Sequence, residues 1–183
     1  LDTAAAAVQN FTTRGMEIGS ATAEVGKWAD AVAFYGDGTN ETLTTVTDAI
    51  GKMLTKGTVE MDQLNRLTDA GINAVGMYAQ ATGRDAAKVQ EHLSKGKISA
   101  QDFVTTVSSA FEEGTNGVLN ISGAAKEAGA TWATTISNMK AAVTRGITSM
   151  LDEINESLSE AGLGTIQEGI KGIGEVTENV LGT

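Results

Sequence analysis

The side chains that could do chemistry in this chain are few, and their spacing says more than their number. His92 is the only histidine, and there is no cysteine. A two-histidine metal site, a thiolate nucleophile, a disulfide and a zinc–sulfur centre are therefore excluded within these residues. Gly51-Lys52-Met53 and Gly96-Lys97-Ile98 lack the hydroxyl residue that a phosphate-binding loop places after its lysine. Gly172-Ile173-Gly174 opens like a dinucleotide loop, but Thr177 stands where the third glycine belongs and no strand precedes it. Carboxylates are what remain. Asp152, Glu156 and Glu160 recur at four-residue steps, which puts three like charges on one helix face, the pattern of a solvated surface. Glu60, Asp62, Asp69 and Glu91 are the other candidates, for the acid of a peptidoglycan-cleaving module. All four fall on polar faces of their helices. His92 comes late in a helix, where a cation suits the dipole, and reads as structural. No catalytic, cofactor-binding or metal-binding residue is assigned.

The elements that would carry these residues are helices. The 183 residues include no proline but 22 glycines. Absence of proline favours uninterrupted helices, while each interior glycine costs a helix about 1 kcal/mol, so packing must support them. Aromatic residues make up only 4% of the chain, which argues against one large rigid core. The formal net charge of −10 opposes sequence-independent binding to nucleic acid, which needs a basic stripe. No apolar run approaches the roughly 18 residues of a membrane span. The start, Leu1-Asp2-Thr3-Ala4, is no signal segment and reads as part of something longer.

One phrase occurs twice, as Leu54-Thr55-Lys56-Gly57-Thr58-Val59 and, 39 residues on, as Leu93-Ser94-Lys95-Gly96-Lys97-Ile98. Lysine suits the negative end of a helix and glycine the left-handed residue just past it. Val59 or Ile98 can then tuck under that end. Ser99 offers an N-cap, with Asp102 three residues on completing something close to a capping box. Each copy predicts two packed helices joined by a tight turn.

In chain order, Phe11, Ile18, Val25 and Val32 recur every seven residues, each followed three positions later by Arg14, Ala21, Trp28 or Tyr35. This predicts one long amphipathic helix over 1–36 with a coiled-coil-like seam. The Gly15–Gly19 spacing predicts close approach of a neighbouring helix. Residues 40–113 predict five short helices with glycine stops at Gly57, Gly71, Gly83, Gly96 and Gly114. Thr39 or Asn40 caps the first and Asp85 the fourth; Leu43, Val46, Ile50, Met53 and Leu54, then Met61, Leu64 and Leu67, face inward. Trp132, Ile136, Met139, Val143, Ile147, Leu151, Ile154 and Leu158 predict a second long amphipathic helix over 122–160, and 165–183 a glycine-rich helical segment. Trp28 and Trp132 are expected to anchor helix packing. The fold class is all-α: a compact cluster of short helices flanked by long amphipathic ones, with bundle or coiled-coil pairing both open.

Residues 30–113 resemble the conserved domain of phage and prophage tail tape measure proteins. The resemblance rests on Ala49-Ile50-Gly51-Lys52-Met53-Leu54-Thr55-Lys56-Gly57, Met61-Asp62-Gln63-Leu64-Asn65-Arg66-Leu67, Ala81-Thr82-Gly83-Arg84-Asp85 and Leu93-Ser94-Lys95-Gly96-Lys97-Ile98-Ser99. Asn138-Met139-Lys140-Ala141-Ala142-Val143 is similar to the segment that follows that domain. Glu60 departs from the pattern, being a poorer cap than Ser99. The resemblance implies a structural protein, not an enzyme, that sets tail length and scaffolds the tube. Its implied partners are the tail tube protein, tail assembly chaperones and tail tip proteins. It implies residence in the tail lumen of the virion, and in the host cytoplasm during assembly. The competing readings are an oligomerising helical secretion or adhesion factor, self-associating through its seams, and the peptidoglycan-cleaving module above.

Overall fold

The computed structural model describes residues 3–160, with side chains described as far as residue 146. Among them the chain forms nine α-helices and no strand: α1 Thr3–Thr13, α2 Ile18–Tyr35, α3 Asn40–Lys56, α4 Met61–Asp69, α5 Ala74–Thr82, α6 Ala86–Ser94, α7 Ala100–Glu113, α8 Ala124–Glu127 and α9 Thr131–Glu160. The all-α expectation holds. The expected segment 165–183 and the carboxylates of Asp152, Glu156 and Glu160 lie outside what is described.

The helices stop and start for local reasons. Thr39 caps α3 by accepting the Thr42 N–H at 3.2 Å, Asp85 caps α6 through Lys88, and Ser99 caps α7 through Asp102, each of the last two at 3.1 Å. Glu60 provides no such bond at the start of α4, in line with its departure from the repeat. The five helices between 40 and 113 fall where the glycine stops place them.

The N-terminal seam is corrected. Within the expected helix over 1–36, the described residues form two helices, α1 and α2, broken at Arg14-Gly15 with Gly15 at φ +93°. Glu17 restarts the chain as α2 by accepting N–H bonds from Gly19 at 2.9 Å and Ser20 at 3.0 Å. Ile18, expected in the seam, is 55% exposed. Gly15 has open space around it, so the Gly15–Gly19 spacing is no packing motif; close approach occurs instead at Gly26, against Ile136 and Lys140. The helix expected over 122–160 is likewise two, parted at Gly129 with φ +67°. In α4 the buried face is Gln63, Leu64 and Leu67, while Met61 is 41% exposed.

Contacts divide the chain into two compact units, Leu1–Lys140 and Ala141–Thr183. In the first unit α2 packs on α1, α3, α7 and α8, and α7 also meets α3 and α5. One hydrophobic core runs from Ala4 to Ile136. Despite the low aromatic content, six of the eight aromatic residues (Trp28, Trp132, Tyr78, Phe11, Phe103 and Phe111) are fully buried in it. Trp28 meets Phe111 edge-on at 5.2 Å, and Tyr78 stacks on Phe103 at 5.3 Å. Small residues fill the spaces between, so few rings suffice for one core.

Candidate functional site

Two places in the first unit gather polar groups in an organised way: the junction of the repeated turns, and a cleft where α1, α2, α3 and α7 meet.

At the junction, both helix stops take the left-handed geometry, Gly57 at φ +77° and Gly96 at φ +65°. Val59 and Ile98 are buried beneath them, as the sequence predicts. The copies also meet. Thr58 and Ser99 form an isolated antiparallel bridge, and the Ala100 N–H donates to the Gly57 carbonyl at 3.0 Å. Lys56 pairs with Glu60 across the first turn, and Lys95 with Glu91 along the end of α6. Only half of the expected capping box forms. Asp102 turns away from the cap and accepts the Tyr78 hydroxyl at 2.6 Å. Burial, and then that carboxylate, push the Tyr78 phenol up to about 12.

The cleft has a volume of about 540 Å³, within the range of ligand sites. Phe11, Met16, Leu54 and Val104 are among its apolar lining residues. Glu24 lines one wall, its Oε1 accepting the Trp28 indole N–H at 2.9 Å. Burial raises the Glu24 carboxyl above its ordinary range, against the lowering effect of hydrogen bonds from Ser108 and Trp28. Two cations share the lining, and each is already engaged. Arg14 donates from Nε to Asn10 and from Nη1 to Thr55, both at 2.7 Å. Lys27 pairs with Glu112 at 3.1 Å. The Glu17 carboxyl, by contrast, is held below its usual range by the backbone N–H groups of Gly19 and Ser20.

The carboxylates singled out from sequence do not assemble here. Glu60 and Asp62 share a shallow groove near Leu93, Glu91 is tied to Lys95, and Asp69 is exposed at the end of α4. His92 lies in the last turn of α6, its carbonyl accepting the Lys97 N–H at 2.8 Å. Among the described residues no group of three histidine or acidic side chains could hold a metal ion, and no helix is long and apolar enough to cross a membrane. Both tryptophans are core anchors, although the buried Trp132 Nε1 has no hydrogen-bond partner.

Two polar residues that matter were not singled out by the sequence reading. Glu24 stands four residues before Trp28, a spacing that places carboxylate and indole on one helix face and was a usable signal. Asp30 gave none. It reaches about ninety residues along the chain to accept the N–H groups of Gly123 at 3.0 Å and Ala125 at 2.9 Å, fixing α8 on α2.

No curated protein and no solved structure matches the chain. A family model described as tape measure protein matches residues 1–153. That match takes in α1, α2 and most of α9 as well as the five-helix segment bearing the repeated turns. The chain therefore belongs to the tape measure protein family, structural components of the phage tail.

Proposed function

We propose that this chain is a stretch of a tail-length ruler and a scaffold on which the tail tube polymerises. The observation that carries the reading is α9, one helix of 30 residues from Thr131 to Glu160. A helix fixes its rise at 1.5 Å per residue, so about 45 Å of axial length is written directly into the sequence. With no proline in the chain, nothing of that kind kinks it. The tail tube protein is the partner that would read this length, tail assembly chaperones would cover apolar faces beforehand, and tail tip proteins would hold one end. On this reading assembly takes place in the host cytoplasm and the finished chain occupies the tail lumen.

The test is tail length by electron microscopy. Trp132 and Ile136 are buried in the first unit, so the change belongs beyond Lys140. Inserting two further copies of residues 141–154 in the parent gene adds four heptads and keeps the core intact. Tails should lengthen by about 42 Å. Assembled tails of unchanged length would refute the ruler and leave an oligomerising helical factor.

A further inference from the structure

We propose that α8 and α9 are two parts of one helix, bent at Gly129 while held against α2, that straightens into a continuous rod when it lifts away. The inference does not rest on the reading of the chain as a ruler. The sequence leading into α9 is Ala124-Ala125-Lys126-Glu127-Ala128-Gly129-Ala130. All but the glycine are strong helix formers, and the cost of one glycine inside a helix is modest. Nothing local compels a stop. Yet α8 ends after four residues, too short to hold its shape without packing. Gly129 turns left-handed at φ +67°, its N–H bonding the Lys126 carbonyl at 3.1 Å, and the Ala130 N–H reaches back to the Ala125 carbonyl at 2.9 Å. The bend therefore comes from what α8 and the start of α9 touch.

Those contacts lie on either side of Gly129. Before it, Asp30 of α2 accepts the N–H groups of Gly123 and Ala125, and Ala125 is buried. After it, Trp132 and Ile136 are buried, with Ile136 close over Gly26 of α2, where no Cβ stands between the helices. Burial of these two side chains makes the bent form the resting one. Two features oppose it. The buried Trp132 Nε1 has no hydrogen-bond partner among the described residues, a deficit that water makes good once the side chain is released. The N–H groups of Thr131 and Trp132, in the first turn of α9, lack acceptors within that helix; a straight helix gives them the carbonyls of Glu127 and Ala128. Gly129 has open space around it, so no neighbour crowds the pivot. Straightening carries α9 back to Ala124, a gain of about 10 Å at 1.5 Å per residue, while α1 to α7 keep their own packing. Any partner with greater affinity for the straight rod would draw it out.

The experiment uses the full 183-residue chain, which has no cysteine, so the exposed positions Glu127→Cys and Arg145→Cys can be spin-labelled as a pair. In a continuous helix these positions are about 27 Å apart; bent at Gly129 they are closer. Pulsed electron paramagnetic resonance reads the distance, and Cα chemical shifts report whether 124–130 is helical. Gly129→Ala disfavours the left-handed backbone and favours helix, and should raise the long-distance population at least tenfold. Asp30→Ala, which removes the fastening of α8, should do the same. Gly129→Asn, which tolerates the left-handed conformation, should stay near the parent. Hydrogen exchange should show α1 to α7 still protected in each. Three results would overturn the proposal: a distance unchanged in Gly129→Ala, a broad distribution with coil-like shifts over 124–130, or loss of protection in α1 to α7 together with α8. Should Asp30→Ala not fold, Gly129→Ala decides alone, since it displaces no neighbour.

Discussion

Thr58, directly after the Gly57 stop, and Ser99, directly after the buried Ile98, face each other across an antiparallel bridge. The Ala100 N–H, donating to Gly57 at 3.0 Å, closes the same junction. The repeat is thus a pair of touching turns, and a fault in one should be felt in the other. Gly57 and Gly96 both have φ in the left-handed region and open space where a Cβ would stand. Gly57→Ala and Gly96→Ala should each cost about 1 kcal/mol in urea unfolding, from backbone conformation alone. Asparagine, which tolerates this conformation better, should recover part of it. An alanine as stable as the parent would show that the stops are not under this constraint.

Gly71 makes a sharper case. Its φ is +88°, and a Cβ there would come within 2.3 Å of the Tyr35 carbonyl oxygen, a backbone atom that cannot swing away. Gly71→Ala should cost about 3 kcal/mol or more, combining strain and overlap. Gly26→Ala provides the contrast. Its nearest neighbour is the Lys140 ammonium at 2.9 Å, the end of a flexible chain, and Gly26 sits inside a helix. Alanine's better helix propensity offsets much of that crowding, so the change should stay within about 1 kcal/mol. Equal losses at the two sites would contradict the packing around α2.

Glu24 gives the chain a pH dependence of defined sign. Its folded-state carboxyl is raised, first by burial. Its contribution to stability is therefore complete below the ordinary glutamate range, about 4.3, and is lost as pH rises through the raised value. Glu24→Gln imitates the protonated form and can still accept from Trp28. The variant should unfold at higher urea than the parent at pH 7–8, with the gap closing towards pH 4. Glu17 and Asp37 work the other way. Hydrogen bonds from backbone N–H groups are the main reason both carboxyls sit below their usual range, so their stabilisation is lost on acidification. The difference between variant and parent is accordingly the quantity to read, and a gap constant with pH would refute the assignment to Glu24.

Asp30 is expected to fix α8. Its two carboxylate oxygens take the N–H groups of Gly123 and Ala125, and charge-assisted bonds of this kind contribute about 1.5–3 kcal/mol. Asp30→Ala should speed hydrogen exchange at Gly123 and Ala125 at least tenfold while leaving α3 through α6 protected. Asp30→Asn, retaining one acceptor, should fall between. Exchange rising uniformly over all helices would mean that Asp30 supports the whole core and not this junction.

What the sequence determined by itself is what lies within about one helical turn. The caps at Thr39, Asp85 and Ser99, the glycine stops, and the inward face of α3 follow from groups four residues apart or fewer, whose partners are fixed as soon as the helix forms. The family resemblance was legible for the same reason, since its order of stops and caps is a local pattern. Tertiary structure decided everything that joins distant segments. Seven-residue spacing through Arg14-Gly15 could not reveal that α1 folds back on α3, because an interior glycine costs a helix only about 1 kcal/mol and packing of Phe11 and Val8 into a shared core outweighs it. The burial of Glu24, the reach of Asp30 to α8 and the meeting of Thr58 with Ser99 each depend on which helix faces lie together. That choice belongs to the whole core from Ala4 to Ile136, and no short window of residues contains it.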